Sequence, residues 1–307
     1  MNQTNYKDCW NDRSKSQEAA IAAVDGSTDE TIAQHTGRWA AQQVKTALNI
    51  QPKDRVLELG CGVGRIGREL APFCRQWTGV DISENMIRHA TARLSGQSNV
   101  NFHQLIRTSL DMLPDNCIDK AYSIAVFCHM DKEDLYLYLQ ELNRVIKPGG
   151  MIFVETWNLC SPVGWRRWEY EPLVWKNSDH GQRKDVARNQ FCTPEEFELY
   201  VSHAGFQPLA NFHDSQSVQI CAGNGLSEEG IEKEKARIHA AASDIAYTPL
   251  YAELFAQFVD VIFGKLHARD LLAYIDKLPE TSEVGLYRPY VLSLWKKSAE
   301  LWGEPPA

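Results

Sequence analysis

Arg55-Val-Leu-Glu-Leu-Gly-Cys-Gly-Val-Gly-Arg65 is the stretch on which the reading of the whole chain turns. Val56, Leu57 and Leu59 make a short apolar run suited to a buried strand, and a glycine-rich turn follows at once. Ile66, Leu70, Phe73 and Cys74 then recur at helical spacing, so the stretch predicts strand, tight loop and helix. Gly60, Gly62 and Gly64 leave no Cβ in the loop, which lets a ligand lie against the backbone and lets φ turn positive. The loop feeds a helix N-terminus, where free N–H groups and the dipole favour an anionic group. These features predict a cradle for a nucleotide-type cofactor.

Two cofactors compete for that cradle. Gly62-Val-Gly64-Arg-Ile-Gly67 satisfies the dinucleotide fingerprint, with Asp81 at about the distance of a ribose ligand, so an NAD(P)-dependent oxidoreductase is one alternative. The strand, however, runs out at Gly60, which makes Gly60 the first turn glycine. Read so, Glu58-x-Gly60-x-Gly62-x-Gly64 resembles motif I of the class I S-adenosylmethionine-dependent methyltransferases. Thr78-Gly-Val-Asp-Ile-Ser83 resembles the second strand with its ribose-binding acid, and Ile118-Asp-Lys-Ala-Tyr-Ser123 the fourth strand. Leu142-Asn-Arg-Val-Ile-Lys-Pro-Gly-Gly150 resembles the helix and turn before the fifth.

The resemblance covers residues 36–224 and implies S-adenosyl-L-methionine as cofactor, with S-adenosyl-L-homocysteine as product. It implies an α/β fold: a seven-stranded, mostly parallel sheet with helices on both faces, the Rossmann-like methyltransferase fold. Phe206 to Phe212 and Val218 to Cys221 match its closing antiparallel hairpin. It places Glu58, Gly60, Cys61, Gly62 and Gly64 around the cofactor, with Asp81 accepting both ribose hydroxyls and Ile82 flanking the adenine. Ser123, at the end of the fourth strand, joins the cofactor contacts. Arg38, in a helix opening at His35, can reach the cofactor carboxylate by a charge-assisted bond, although an exposed first-turn arginine is the plainer reading.

One slot departs from the family pattern. Where relatives often hold an Asp for the adenine amine, about five residues before a Leu-Pro, Ser109 stands here, and Ser109 and Leu110 become the candidate adenine contact. His129, just past the fourth strand, lies near where a methyl acceptor would sit. An ordinary histidine pKa near 6.5 suits a base for a hydroxyl or amine, while a packed histidine is the plain alternative. Glu155, read as the end of the strand Met151–Glu155, can orient an acceptor or be a solvated acid.

Composition narrows the class. With 307 residues, 44% of them hydrophobic, the chain can build one large or two modest domains. A net charge of −8 argues against a nucleic-acid or anionic-membrane surface. Eight scattered cysteines without a C-x-x-C pair predict reduced thiols in a cytoplasmic protein, and no metal cluster is apparent. No long apolar run suggests a membrane span.

Residues 1–35 predict a terminal cap, either loosely docked or a lid over the cofactor. Within 157–190, Trp157, Trp165, Trp168 and Trp175 interleave with Arg166, Arg167, His180, Arg183 and Lys184, which predicts a cover for an aromatic or anionic small-molecule acceptor. Residues 225–307 predict a helical appendage of four helices, the last opening at Pro289, that packs on the core or forms a homodimer. The resemblance implies methyl transfer to oxygen or nitrogen of a small molecule; a non-catalytic cofactor-binding regulator or assembly protein is the other alternative.

Overall fold

The computed structural model describes residues 6–177, 179 and 189–305. Five strands come first in the chain: β1 (Arg55–Leu59), β2 (Gln76–Asp81), β3 (Val100–Gln104), β4 (Ile118–Ser123) and β5 (Ile146–Asn158). A two-residue β6 (Phe191–Cys192) and the strands β7 (Gln207–Phe212) and β8 (Ser217–Gly223) complete the sheet. The order is β3-β2-β1-β4-β5-β8-β7, with β6 beside the end of β5. β1 to β5 run parallel, and β8 is antiparallel to both β5 and β7. The seven-stranded sheet is therefore present, and β6 is an eighth strand too short to show any period.

Among the described residues three helices precede β1: α1 (Tyr6–Arg13), α2 (Gln17–Asp25) and α3 (Glu30–Leu48). Between strands lie α4 (Arg65–Leu70), α5 (Glu84–Arg93), α6 (Lys132–Val145), α7 (Pro162–Trp175) and α8 (Pro194–His203). After β8 come α9 (Glu228–Ala240), α10 (Ala242–Ile245), α11 (Pro249–Ile262), α12 (Ala268–Ile275), α13 (Ser282–Lys297) and α14 (Ala299–Trp302). Val44, Leu48, Ile66, Trp77 and Ile238 pack on one face of the sheet, and Leu139, Leu142, Phe197 and Val201 on the other. Among the described residues no helix is long and apolar enough to cross a membrane.

Several boundaries differ from the sequence reading, each for a local reason. α3 opens at Glu30 rather than His35, because Asp29 caps it and accepts from the Thr31 N–H at 2.8 Å. α4 stops at Leu70 and passes into a 3₁₀ turn at Ala71–Phe73, since Pro72 has no N–H to continue an α-helix; Phe73 is left exposed. β5 runs on through Glu155 to Asn158, held by β8 along its length. α13 starts at Ser282, capped by Thr281, and passes through Pro289 instead of beginning there.

The appendage helices cover their own apolar faces. Leu254, Phe258, Val261, Leu271, Ile275, Val284 and Val291 form a separate core, against which Trp39 of α3 packs. Ile262, expected on that stripe, is 52% exposed. These contacts bury much of the expected stripe within the chain.

Candidate cofactor and acceptor site

β1 has β2 on one side and β4 on the other, so the chain's direction around the sheet reverses there. Crevices at such switch points, outside the carboxyl ends of parallel strands, are where open α/β sheets bind ligands. A cavity occupies this position, lined by Glu58, Gly60, Cys61, Gly62, Asp81 and Ile82, all expected from the sequence. Gly60 and Gly62 have φ of +74° and +50°. A Cβ at residue 60 would run into Val126, and one at residue 62 would lie 2.8 Å from Val24 Cγ1. The loop is shaped as a cradle that only glycine permits.

Asp81 fixes the cradle. Its Oδ2 accepts from the Gly62 N–H and its Oδ1 from the Ser83 N–H, both at 2.9 Å, leaving further lone pairs free for a ligand's hydroxyls. Burial pushes its carboxyl up to about 6, and the backbone N–H bonds hold it back. Glu58 is also buried, and its Oε2 accepts from the Tyr122 hydroxyl at 2.6 Å. Desolvation raises its pKa to about 8, against the opposing pull of that hydroxyl. The stability contributed by Glu58 protonation is fully present below its unfolded value of 4.5 and is lost as pH rises through about 8. Glu58→Gln should therefore gain on the wild type in melting temperature as pH rises from about 5 to about 9, in the absence of any ligand. Parallel melting curves for the two proteins across that range would contradict the assignment.

Five expected contacts lie elsewhere. Arg38 is exposed on α3 and does not reach the cavity; Arg65 lines it instead, with its Nε 3.9 Å from Asp25 Oδ1. Gly64 caps α4, and a Cβ there would meet Leu94 and Ala90, so this glycine serves the packing of α4 on α5. Gly67 likewise faces Trp77 and serves the packing of α4 on β2. The Ser109 hydroxyl and the Leu110 N–H both donate to Glu141 Oε2, at 3.2 and 2.7 Å, and neither residue lines the cavity; Leu105 and Thr108 do. Ser123 is fully buried and donates to the Leu59 carbonyl at 3.1 Å, bracing β4 against β1.

The N-terminal helices close the cavity from above. Trp10, Ala23 and Val24 line it, and α1 is tied down by Asn11, which accepts from the Ser83 hydroxyl at 2.8 Å.

A second cavity adjoins the first, and Val24, Arg65, Ile124, Ala125 and His129 line both. Ala125 has φ +57°, unusual for a residue with a side chain, and its N–H donates to Glu155 Oε1 at 3.0 Å. Glu155 Oε2 accepts from the Tyr247 hydroxyl at 3.0 Å, which binds the appendage to the sheet. Burial lifts the Glu155 carboxyl to about 7. His129 packs edge-on against Trp10, and desolvation, with help from Arg13 and Arg167, lowers it to about 4.

The acceptor cover differs from the expectation for 157–190. Trp157 and Arg167 line the second cavity, but Trp165 is half-exposed and packs at a tilt against Trp168, while Arg166 pairs with Asp260. His180, Arg183, Lys184 and the side chain of Trp175 lie outside the described residues. Much of the wall comes from the appendage instead: Tyr247, Tyr251, Phe255, Phe258, Tyr287 and Tyr290. The four-residue spacing of Tyr247, Tyr251 and Phe255 was the sequence signal for this face.

Comparison with known proteins agrees with this geometry. A family model described as "Methyltransferase domain" matches residues 56–150. The 24-methylenesterol C-methyltransferase 3 of Arabidopsis thaliana is 30% identical over 141 residues, covering 44% of this chain and 36% of that protein. The 2-methyl-6-phytyl-1,4-hydroquinone methyltransferase of Synechocystis is 33% identical over 110 residues, covering 36% and 34%. The chain thus spans about a third of the length of these curated relatives. A chain from the complex between the Haloferax volcanii Trm112 methyltransferase activator and a methyltransferase superposes with a TM-score of 0.52 at 14% identity, covering 67% of this chain and 97% of that one, which is a likeness of fold.

Proposed function

Because residues 56–150 belong to the methyltransferase-domain family and the sheet has the class I S-adenosylmethionine-dependent methyltransferase fold, we infer that this protein transfers a methyl group from S-adenosyl-L-methionine to an oxygen or nitrogen of a small molecule in the cytoplasm. The observation that carries this reading is the pair of joined cavities, one at the glycine cradle and one beyond it, meeting at Ala125 and His129. When bound, the cofactor supplies an electrophilic methyl on a cationic sulfur and leaves as S-adenosyl-L-homocysteine.

The chain's own groups divide the remaining work. Asp81 takes the ribose hydroxyls on a carboxylate already oriented by two backbone N–H groups. Arg65, inside the site, takes the cofactor carboxylate, the role expected of Arg38. Glu58, buried and easily charged by a nearby cation, faces the positive end of the cofactor. Trp10 and Val24 exclude water, which strengthens each of these contacts.

A neutral oxygen or nitrogen acceptor must shed a proton as it is methylated, and two groups stand near the junction to guide it. His129 stays neutral at physiological pH and can accept a hydrogen bond from the acceptor. Glu155 titrates near neutrality and is the better proton store. Incubating the protein with cofactor carrying a labelled methyl and a small-molecule extract should label a small molecule at its oxygen or nitrogen. Label appearing only in protein or nucleic acid would overturn the reading.

A further inference from the structure

The second cavity measures about 380 Å³ and is unusually rich in rings. Trp39 and Tyr251 stack with centroids 4.9 Å apart and planes within 7°, and Tyr247 lies 4.4 Å from Tyr251 at 24°. Rigid aromatic walls lose little entropy on binding and present faces and edges to another flat ring system.

The same walls carry buried polar atoms that no protein group satisfies: Asp25 Oδ2, His129 Nδ1, Trp157 Nε1 and Gln216 Oε1. The indole N–H is a donor and the amide oxygen an acceptor; the other two act as either, according to their protonation. A buried polar group left unpaired costs about 1–3 kcal/mol. Each of the four has less than 1 Å² of accessible surface, so a ligand in the cavity reaches it through a small rotation of its side chain; one that fills the space with hydrocarbon alone leaves all four unpaired. A saturated ring system with one hydroxyl reaches few of them and stacks on none of the rings.

We propose that the second cavity is the acceptor subsite for planar aromatic compounds carrying several hydroxyl groups, with Trp39, Tyr247 and Tyr251 as the stacking platform and Trp157 and Gln216 as hydroxyl partners. The word "acceptor" rests on the methyltransferase reading; the choice of ligand class rests on the cavity alone.

Three matched probes separate the ingredients: vicinal dihydroxynaphthalene, naphthalene, and the fully hydrogenated decalin diol. Calorimetric titration of the full chain, with and without S-adenosyl-L-homocysteine, should show the first binding at least about tenfold tighter than either of the others. Tyr251→Leu and Gln216→Leu should each weaken it by about fivefold or more while leaving the homocysteine titration unchanged, which also confirms that the variants fold. Equal affinity for all three probes, preference for naphthalene or the decalin diol, or no binding of the dihydroxy probe would overturn the proposal. Loss of the homocysteine signal in the wild type would instead sink the methyltransferase reading and leave the ring-binding result standing.

Discussion

Gly60→Ala should lose cofactor binding almost entirely, by roughly a hundredfold or more in affinity. Two costs combine at this one position. The backbone sits at φ +74°, where a residue with a Cβ is strained by about 1–2 kcal/mol. The added methyl also points at Val126, which lines the cavity, so the clash cannot be relieved without moving the wall that the cofactor must meet. Relief from the other direction would push the loop into the space of the ligand. The free protein should melt lower, by an amount corresponding to about 1–3 kcal/mol. Titration with S-adenosyl-L-homocysteine measures the first effect and thermal unfolding the second. An affinity within about threefold of the wild type would mean that the loop does not hold the cofactor.

Asp81→Ala should weaken the cofactor by about 1–3 kcal/mol, or roughly five- to a hundredfold, through lost hydrogen bonds to the ribose. The substitution also removes the acceptor for the Gly62 and Ser83 N–H groups, so part of the loss comes from a loosened cradle. A pH signature distinguishes the carboxylate from mere packing. In the free protein Asp81 titrates at about 6, and the ribose hydroxyls favour its ionised form. Affinity in the wild type should therefore fall as pH drops through that value, by roughly tenfold between about pH 7.5 and about pH 5. The Ala variant should lack that slope. A variant that kept the wild-type affinity, or the same slope, would remove Asp81 from the ribose.

Much of the cofactor half was legible from residue order alone, because its determinants are local. The strand at Val56–Leu59, the turn opened by Gly60 and the acid at the end of β2 each leave a short pattern, and all three landed where the pattern placed them. Gly64 and Ser123 lie within those same patterns but turn inward, one toward Leu94 and the other onto the Leu59 carbonyl; one-residue steps decide which way a side chain faces. Arg38 and Arg65 show the same limit across a longer gap, since which arginine enters the site depends on how α3 meets α4. The acceptor half depends on contacts far apart in the chain. Tyr247 meets Glu155 across 92 positions, and Trp39 meets Tyr251 across more than twice that separation, so no window of sequence contains either contact. The tryptophan-rich segment after β5 suggests the cover, yet Trp165 and Trp168 pack against each other away from the cavity, and the appendage supplies most of the rings.

The central claim is that the bend beginning at Gly60 holds an adenosyl amino acid. Titrating the purified full chain with S-adenosyl-L-homocysteine and, separately, with NAD tests it most directly. A saturable one-to-one signal with the first and none with the second is the predicted result. A signal with NAD alone, or with neither, would contradict it.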